Sequence, residues 1–317
     1  MMAGNLKTIM HIRTEKRMSN HLMKRIRNFL VRRKPNLKED SIRLGLALGG
    51  GGARGLAHIP ILEVLDNMGI RPCCIAGTSI GAVLGAMYAS GAKGSGIRSL
   101  VQDTIIGKNS SPGELLRDIK RLVQFMDIDF LGPGIFKGDS VMKYFYDAIH
   151  TDRFEDLEMP LKVVATDFWA SEQTVLSSGN LLKAVKASMG LPGLFTPVKY
   201  GERILIDGGG VNPVPFDVLD DCDLIIAVDV LGYAESDSGK PPGAVKAVLE
   251  MFDIMQRSIA TTKLKISQPD IYIKPDIRNI GMLEFHRAQE IYASTEASCR
   301  ELEEKLKGYY PEIPLSP

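Results

Sequence analysis

Gly77-Thr78-Ser79-Ile80-Gly81 separates a short apolar run, Cys73 to Ala76, from a helix-compatible one, Ala82 to Ala89. The pattern predicts a strand, a sharp turn and a helix. A serine at the tip of such a turn is forced into sparsely populated backbone angles, and Gly77 and Gly81, two residues to either side, remove side chains that would collide there. Ser79 is thereby presented as a nucleophile. The same five residues also arise by chance as an ordinary Gly/Ser loop in a glycine-rich chain, so their surroundings decide the reading.

Upstream, Ile42 to Leu48 reads as a buried strand that runs into Gly49-Gly50-Gly51-Gly52-Ala53-Arg54-Gly55, and Leu56 to Met68 has helical spacing. A loop with so few Cβ atoms can turn its N–H groups towards one point, beside the positive end of the following helix. Such a nest suits an anion: a dinucleotide pyrophosphate, or the oxyanion of a tetrahedral acyl intermediate. Gly50-x-Gly52-x-x-Gly55 fits the dinucleotide fingerprint, but that fold wants a carboxylate at the end of its second strand to hold the ribose. Here the second strand ends in Ala76-Gly77-Thr78-Ser79 and delivers the serine turn instead, which favours the oxyanion.

A triad would place its histidine after the serine and the acid. His11 and His21 lie in a basic N-terminal arm and His58 and His150 in helix-like stretches, so only His286 follows in that order. The better partner is Asp207, at the exit of the apolar run Ile204-Leu205-Ile206 and followed by Gly208-Gly209-Gly210. The arrangement suggests a Ser79–Asp207 dyad, in which an apolar setting would raise the basicity of the carboxylate.

Gly50-x-Gly52-x-x-Gly55, Gly77-x-Ser79-x-Gly81 and Asp207-Gly208-Gly209, in that order, resemble the patatin-like phospholipases. Ala165-Thr166-Asp167 and the stretch Ala187 to Pro197 are similar to that family too, and the resemblance covers about residues 43 to 230. It implies a three-layer α/β/α fold with a mostly parallel central sheet, and hydrolysis of fatty-acyl esters, phospholipids among them. By position Ser79 would be the nucleophile and Asp207 the base. Gly50, Gly51, Gly52, Ala53, Arg54 and Gly55 would form the oxyanion loop, with Gly77 and Gly81 framing the elbow. The chemistry asks for no cofactor and no metal. Arg54 has three open roles: binding a phosphate head group, supporting the loop, or pairing with a nearby carboxylate.

The chain has 317 residues, 44% of them apolar, and a net charge of +1. That balance hides a division: residues 1–38 carry eleven basic residues against Glu15, a net +10, which leaves −9 for the rest. Within this arm Met18 to Arg33 places Leu22, Met23, Ile26, Phe29 and Leu30 at helical spacing among basic residues. The pattern fits a basic amphipathic helix on an anionic membrane, each basic residue adding about 1 kcal/mol near such a surface. A solvated tail, or a helix packed on the main domain or on a second copy in a homo-oligomer, are the alternatives. Nucleic-acid binding is disfavoured, since the arm has one aromatic and the remainder is acidic. No apolar run has signal-peptide or membrane-span character, and Cys73, Cys74, Cys222 and Cys299 show no metal spacing. The reading is a cytoplasmic protein, peripheral on the inner face of a membrane.

These features divide the chain into an arm, 1–40, a patatin-like domain, 41–308, and a tail, 309–317. Gly91 to Ile149 reads as mostly helical and suited to a lid. Leu161 to Asp167, Val198 to Asp207 and Leu224 to Asp229 read as strands, Glu284 to Lys307 as an amphipathic helix, and Gly232 to Gly243 as a linker. Asp217, Asp220, Asp221 and Asp223 read as a solvated helix end. The function expected is a serine lipid acyl hydrolase; the rivals are a membrane-attached regulatory protein with little turnover and a dinucleotide-binding oxidoreductase.

Overall fold

The computed structural model describes residues 42–103, 134–136, 149, 151–233 and 241–311. The chain divides into Met1–Ile42 and Arg43–Pro317, and all described residues but Ile42 belong to the second unit. The amphipathic stretch of the arm therefore lies outside the described residues, as does most of the segment expected to form a lid.

Strand β1 (Leu44–Leu48) is buried along its whole length, as a central strand of a parallel sheet must be. It pairs in parallel with β2 (Cys74–Thr78), Leu48 opposite Gly77. A 3-10 turn, Gly52–Ala57, and helix α1 (His58–Asn67) connect them, so the helix predicted from Leu56 begins as a tighter coil. Helix α2 (Ile80–Ala89) leaves β2 with Ser79 as its only joint. Then come α3 (Gly94–Val101), β3 (Gly134–Phe136), β4 (Leu161–Asp167), β5 (Glu172–Leu176), α4 (Leu181–Ser188) and β6 (Gly193–Phe195). β7 (Val198–Tyr200), β8 (Arg203–Asp207), β9 (Leu224–Val228), α5 (Ala244–Ile266), β10 (Ile271–Ile273) and α6 (Ala288–Lys307) complete the order.

Among the described residues the main sheet has eight strands in the order β10-β9-β1-β2-β4-β8-β7, with β5 also on β4. The run from β10 to β4 is parallel; β5, β7 and β8 are antiparallel additions at one side. Val198 to Asp207, read as one strand, is a hairpin, because Gly201 takes a φ of 62° and reverses the chain. β3 pairs with β6 in a separate two-stranded sheet, so that part of the expected helical segment is a strand.

Side chains alternate across the sheet. Ala47, Ala76, Val164 and Ala227 face a cluster that includes Phe216 and Ala260 of α5. Leu48 and Ile75, one residue away, approach α2 at Gly85 on the other face. Helices on both faces make three layers. α6 packs on α1 and buries Ile291, Tyr292, Thr295, Leu302 and Leu306, and it begins at Ala288; Phe285 sits in a preceding 3-10 turn. Two of the acidic residues assigned to a solvated helix end are structural instead. Asp217 pairs with Lys263 of α5, and the Asp223 carboxylate accepts the Arg43 N–H at 3.0 Å.

Candidate active site

Ser79 occupies the elbow between β2 and α2 with φ 53° and ψ −123°, a conformation costing a non-glycine residue about 1–3 kcal/mol. Close packing holds it there. A Cβ on Gly81 would lie 2.1 Å from the Leu48 carbonyl oxygen, and one on Gly77 would lie 2.5 Å from Ala82 Cα. The Ser79 N–H donates to Ser188 Oγ at 2.8 Å, and Ser188 in turn donates to the Val164 carbonyl at 2.6 Å. The stretch Ala187 to Pro197 thus contributes a tether from α4 to the elbow.

The antiparallel pairing of β8 on β4 brings Asp207 opposite Ala165. Its backbone is clamped on both sides: the N–H donates to the Gly190 carbonyl at 3.0 Å, and Thr166 Oγ1 donates to the Asp207 carbonyl at 2.7 Å. Thr78 Oγ1 donates to the Asn212 carbonyl at 2.8 Å, tying the following glycine loop to the strand that leads into Ser79. Asp207 is 4% exposed; its carboxylate accepts the Gly209 N–H at 2.7 Å and lies beside the Ser79 hydroxyl. Burial pushes its pKa up to about 6, against the pull of those two groups. That is close to the range of an ordinary histidine.

The loop N–H groups are not equally available. Gly50 donates to the Pro213 carbonyl at 2.9 Å and Ala53 to the Met282 carbonyl at 2.7 Å. Gly51 and Gly52 line a cavity with Ser79 and Asp207, and their N–H groups have no acceptor among the described residues. Gly52 takes a φ of 58° at this turn, and a Cβ there would meet the Met282 carbonyl oxygen at 2.3 Å. Of the six loop residues expected to supply donors, Gly51 and Gly52 line the cavity, joined by Ile80. Ile80 lines the same cavity, and as the first residue of α2 its N–H lacks a helical partner. The sequence held a signal for Ile80, its place directly after the nucleophile.

Arg54 faces away from the cavity. It is 3% exposed; Nη2 meets Asp253 Oδ1 of α5 at 2.6 Å and Nε donates to the Gly51 carbonyl at 3.1 Å. The head-group role is replaced by pairing and loop support. Because C=O and N–H of one peptide point in opposite directions, the hold on the Gly51 carbonyl also fixes the direction of the Gly52 N–H. Gly55 lets the loop lie directly on Ile80, where a Cβ would clash at 2.1 Å.

Neither described histidine lines the cavity with Ser79 and Asp207. His58 is fully buried, its Nε2 donates to the Gly49 carbonyl at 2.8 Å, and burial lowers its pKa to about 4, so it is neutral. His286 is exposed on the turn before α6 and does not line the cavity. His11, His21 and His150 lie outside the described residues.

The rest of the cavity is apolar: Met189, Leu191, Leu194 and Phe195 on one side, Phe252 of α5 with Met282, Leu283 and Phe285 on the other. Gln256, 2% exposed, reaches in between the loop and Asp207. These wall residues come from segments whose apolar character suited ordinary packing equally well, so the sequence did not single them out. Among the described residues no cluster of His, Cys, Asp and Glu is disposed to hold a metal ion.

A strained serine, a buried carboxylate of raised pKa and two loop N–H groups without an acceptor among the described residues thus meet at one cavity of an α/β/α sheet. A family model described as patatin-like phospholipase matches residues 46–220, more than half of the chain. The chain belongs to that family. Neuropathy target esterase sws of Drosophila melanogaster is 33% identical over 64% of this chain and 14% of its own length. Lysophospholipase NTE1 of Kluyveromyces lactis is 30% identical over 81% of this chain and 19% of its own length. An uncharacterized NTE family protein of Mycobacterium tuberculosis is 32% identical over 61% of this chain and 50% of its own length. The chain thus spans between about a seventh and half of these relatives.

Proposed function

We propose that the protein is a serine lipid acyl hydrolase, cleaving fatty-acyl esters of the phospholipid or lysophospholipid class through Ser79 and Asp207. The observation that carries the reading is the Ser79 hydroxyl beside a buried carboxylate of pKa about 6 in an apolar cavity. Asp207 takes the hydroxyl proton as Ser79 Oγ attacks the ester carbonyl carbon. The Gly51 and Gly52 N–H groups, with that of Ile80, stabilise the oxyanion. As the tetrahedral intermediate collapses, the ester C–O bond breaks and Asp207 hands its proton to the leaving alcohol. A water, deprotonated by the same carboxylate, then attacks the acyl-enzyme; the fatty acid leaves and the proton returns to Ser79.

The names of the relatives, an esterase and a lysophospholipase, support the substrate class. The +10 charge of residues 1–38 supports peripheral attachment of a cytoplasmic protein to an anionic membrane. No helix of the described residues is long and apolar enough to cross a membrane. The test is hydrolysis of p-nitrophenyl butyrate and of lysophosphatidylcholine by wild type, Ser79→Ala and Asp207→Asn. Both variants should be folded and lose at least about a thousandfold in kcat; retained turnover in either would remove that residue from the mechanism.

A further inference from the structure

The outward face of α5 changes character along its length. Val248, Met251, Ile254 and Met255 are 61, 58, 57 and 47% exposed. Farther along the same face the exposed residues are Ser258, Thr261, Thr262 and Lys265, with Ile266 the exception at the last position. The inward residues Asp253, Gln256 and Ala260 are buried in both halves, so core packing does not require an apolar outer face in either. The apolar half is the half beside the cavity: Phe252 and Gln256, interleaved with these side chains, line it. Leu283 both lines the cavity and is 37% exposed, and so marks the opening.

The cavity volume is about 90 Å³, below the ~150 Å³ that encloses one benzene ring. It holds an ester group and its first carbons. The remainder of a long acyl chain must pass outwards over the rim, and every methylene that meets water there opposes binding. We propose that Val248, Met251, Ile254 and Met255 dock the protein on a lipid bilayer, so that one acyl chain moves from the hydrocarbon past Leu283 and Phe252 to Ser79 without crossing water. A bilayer is the occupant because it supplies a chain to the cavity, which a second copy of this protein seated on the face would block. The purpose of the face rests on the acyl hydrolase reading; its existence rests on the exposure pattern alone.

The experiment uses the full chain and the variant Val248→Thr/Met251→Gln/Met255→Gln, none of whose positions lines the cavity. Binding is read by flotation with phosphatidylcholine vesicles, which are uncharged overall, at high salt to screen residues 1–38, and in a Ser79→Ala background that leaves the lipid intact. The variant should bind at least about tenfold more weakly and cleave vesicular long-chain phosphatidylcholine correspondingly more slowly. Its kcat/KM on monomeric p-nitrophenyl butyrate and its thermal midpoint should match the parent's. Equal vesicle binding by the variant, or no binding by the parent chain, overturns the proposal. So does a parent oligomer that the variant dissolves while vesicle binding is unchanged. If the parent binds vesicles through this face yet cleaves neither ester, the docking surface stands and the hydrolase reading falls.

Discussion

In the proposed mechanism Asp207 is a base made by burial. An aspartate at its ordinary pKa trails histidine as a proton acceptor by roughly 3.5 kcal/mol; at about 6 most of that deficit is gone. The carboxylate must be ionised to act, so kcat/KM for a soluble ester should fall about tenfold per unit as pH drops below about 6. A profile still flat at pH ~4 would contradict this assignment. The same shift has a stability consequence of opposite sense. A carboxyl whose folded pKa exceeds its unfolded value stabilises the fold fully below pH ~3.9, and that contribution is lost as pH rises through about 6. Asp207→Asn should therefore be inactive yet more stable than wild type at pH 8, by roughly 2–3 kcal/mol, with the difference vanishing near pH 4. Urea unfolding at the two pH values measures it. Ser79 stores strain in the same way: with φ at 53°, Ser79→Gly should be more stable than Ser79→Ala by about 1 kcal/mol. The positions of both residues were legible, because a serine between glycines and a carboxylate at a strand exit are local patterns. Ser188 was legible only as part of a resemblance, since its contact with Ser79 spans 109 residues.

The glycine loop and α5 form one element of function, joined by Arg54 and Asp253. Asp253→Ala would leave a buried guanidinium unpaired, at an expected cost of about 3–5 kcal/mol in chemical unfolding. Arg54→Lys retains charge but loses the fork that reaches both Asp253 and the Gly51 carbonyl, so it should lower kcat with KM little changed; an unchanged kcat would show that the loop orients without it. The strands were readable where they are buried on both faces, as β1 and β9 are, because a continuous apolar run has few other uses. The β7–β8 hairpin was not, because Gly201 and Glu202 interrupt an apolar run without the stronger Asn-Gly or Asp-Gly turn signal. The role of α5 was invisible for a different reason: its Phe252 and Gln256 meet the loop only once the sheet is assembled.

At the scale of the whole molecule, a parallel sheet carries Ser79 on its centre and an antiparallel addition carries Asp207, so the two residues meet where the two kinds of pairing join on β4. The loop, Ser79 and Asp207 all lie downstream of residue 38. Deleting residues 1–38 should therefore leave soluble-ester hydrolysis nearly unchanged while sedimentation with anionic liposomes falls sharply, most clearly at low salt. A truncated chain that fails to fold, or changes oligomeric state, would make the arm a packing element instead. The central claim, that one strained serine served by one aspartate does the chemistry, is tested most directly by labelling with a fluorophosphonate and locating the adduct by mass spectrometry. The account predicts a single adduct on Ser79, absent in Ser79→Ala and Asp207→Asn and retained in His286→Ala. An adduct on another serine, or its loss in His286→Ala with the fold intact, would contradict it.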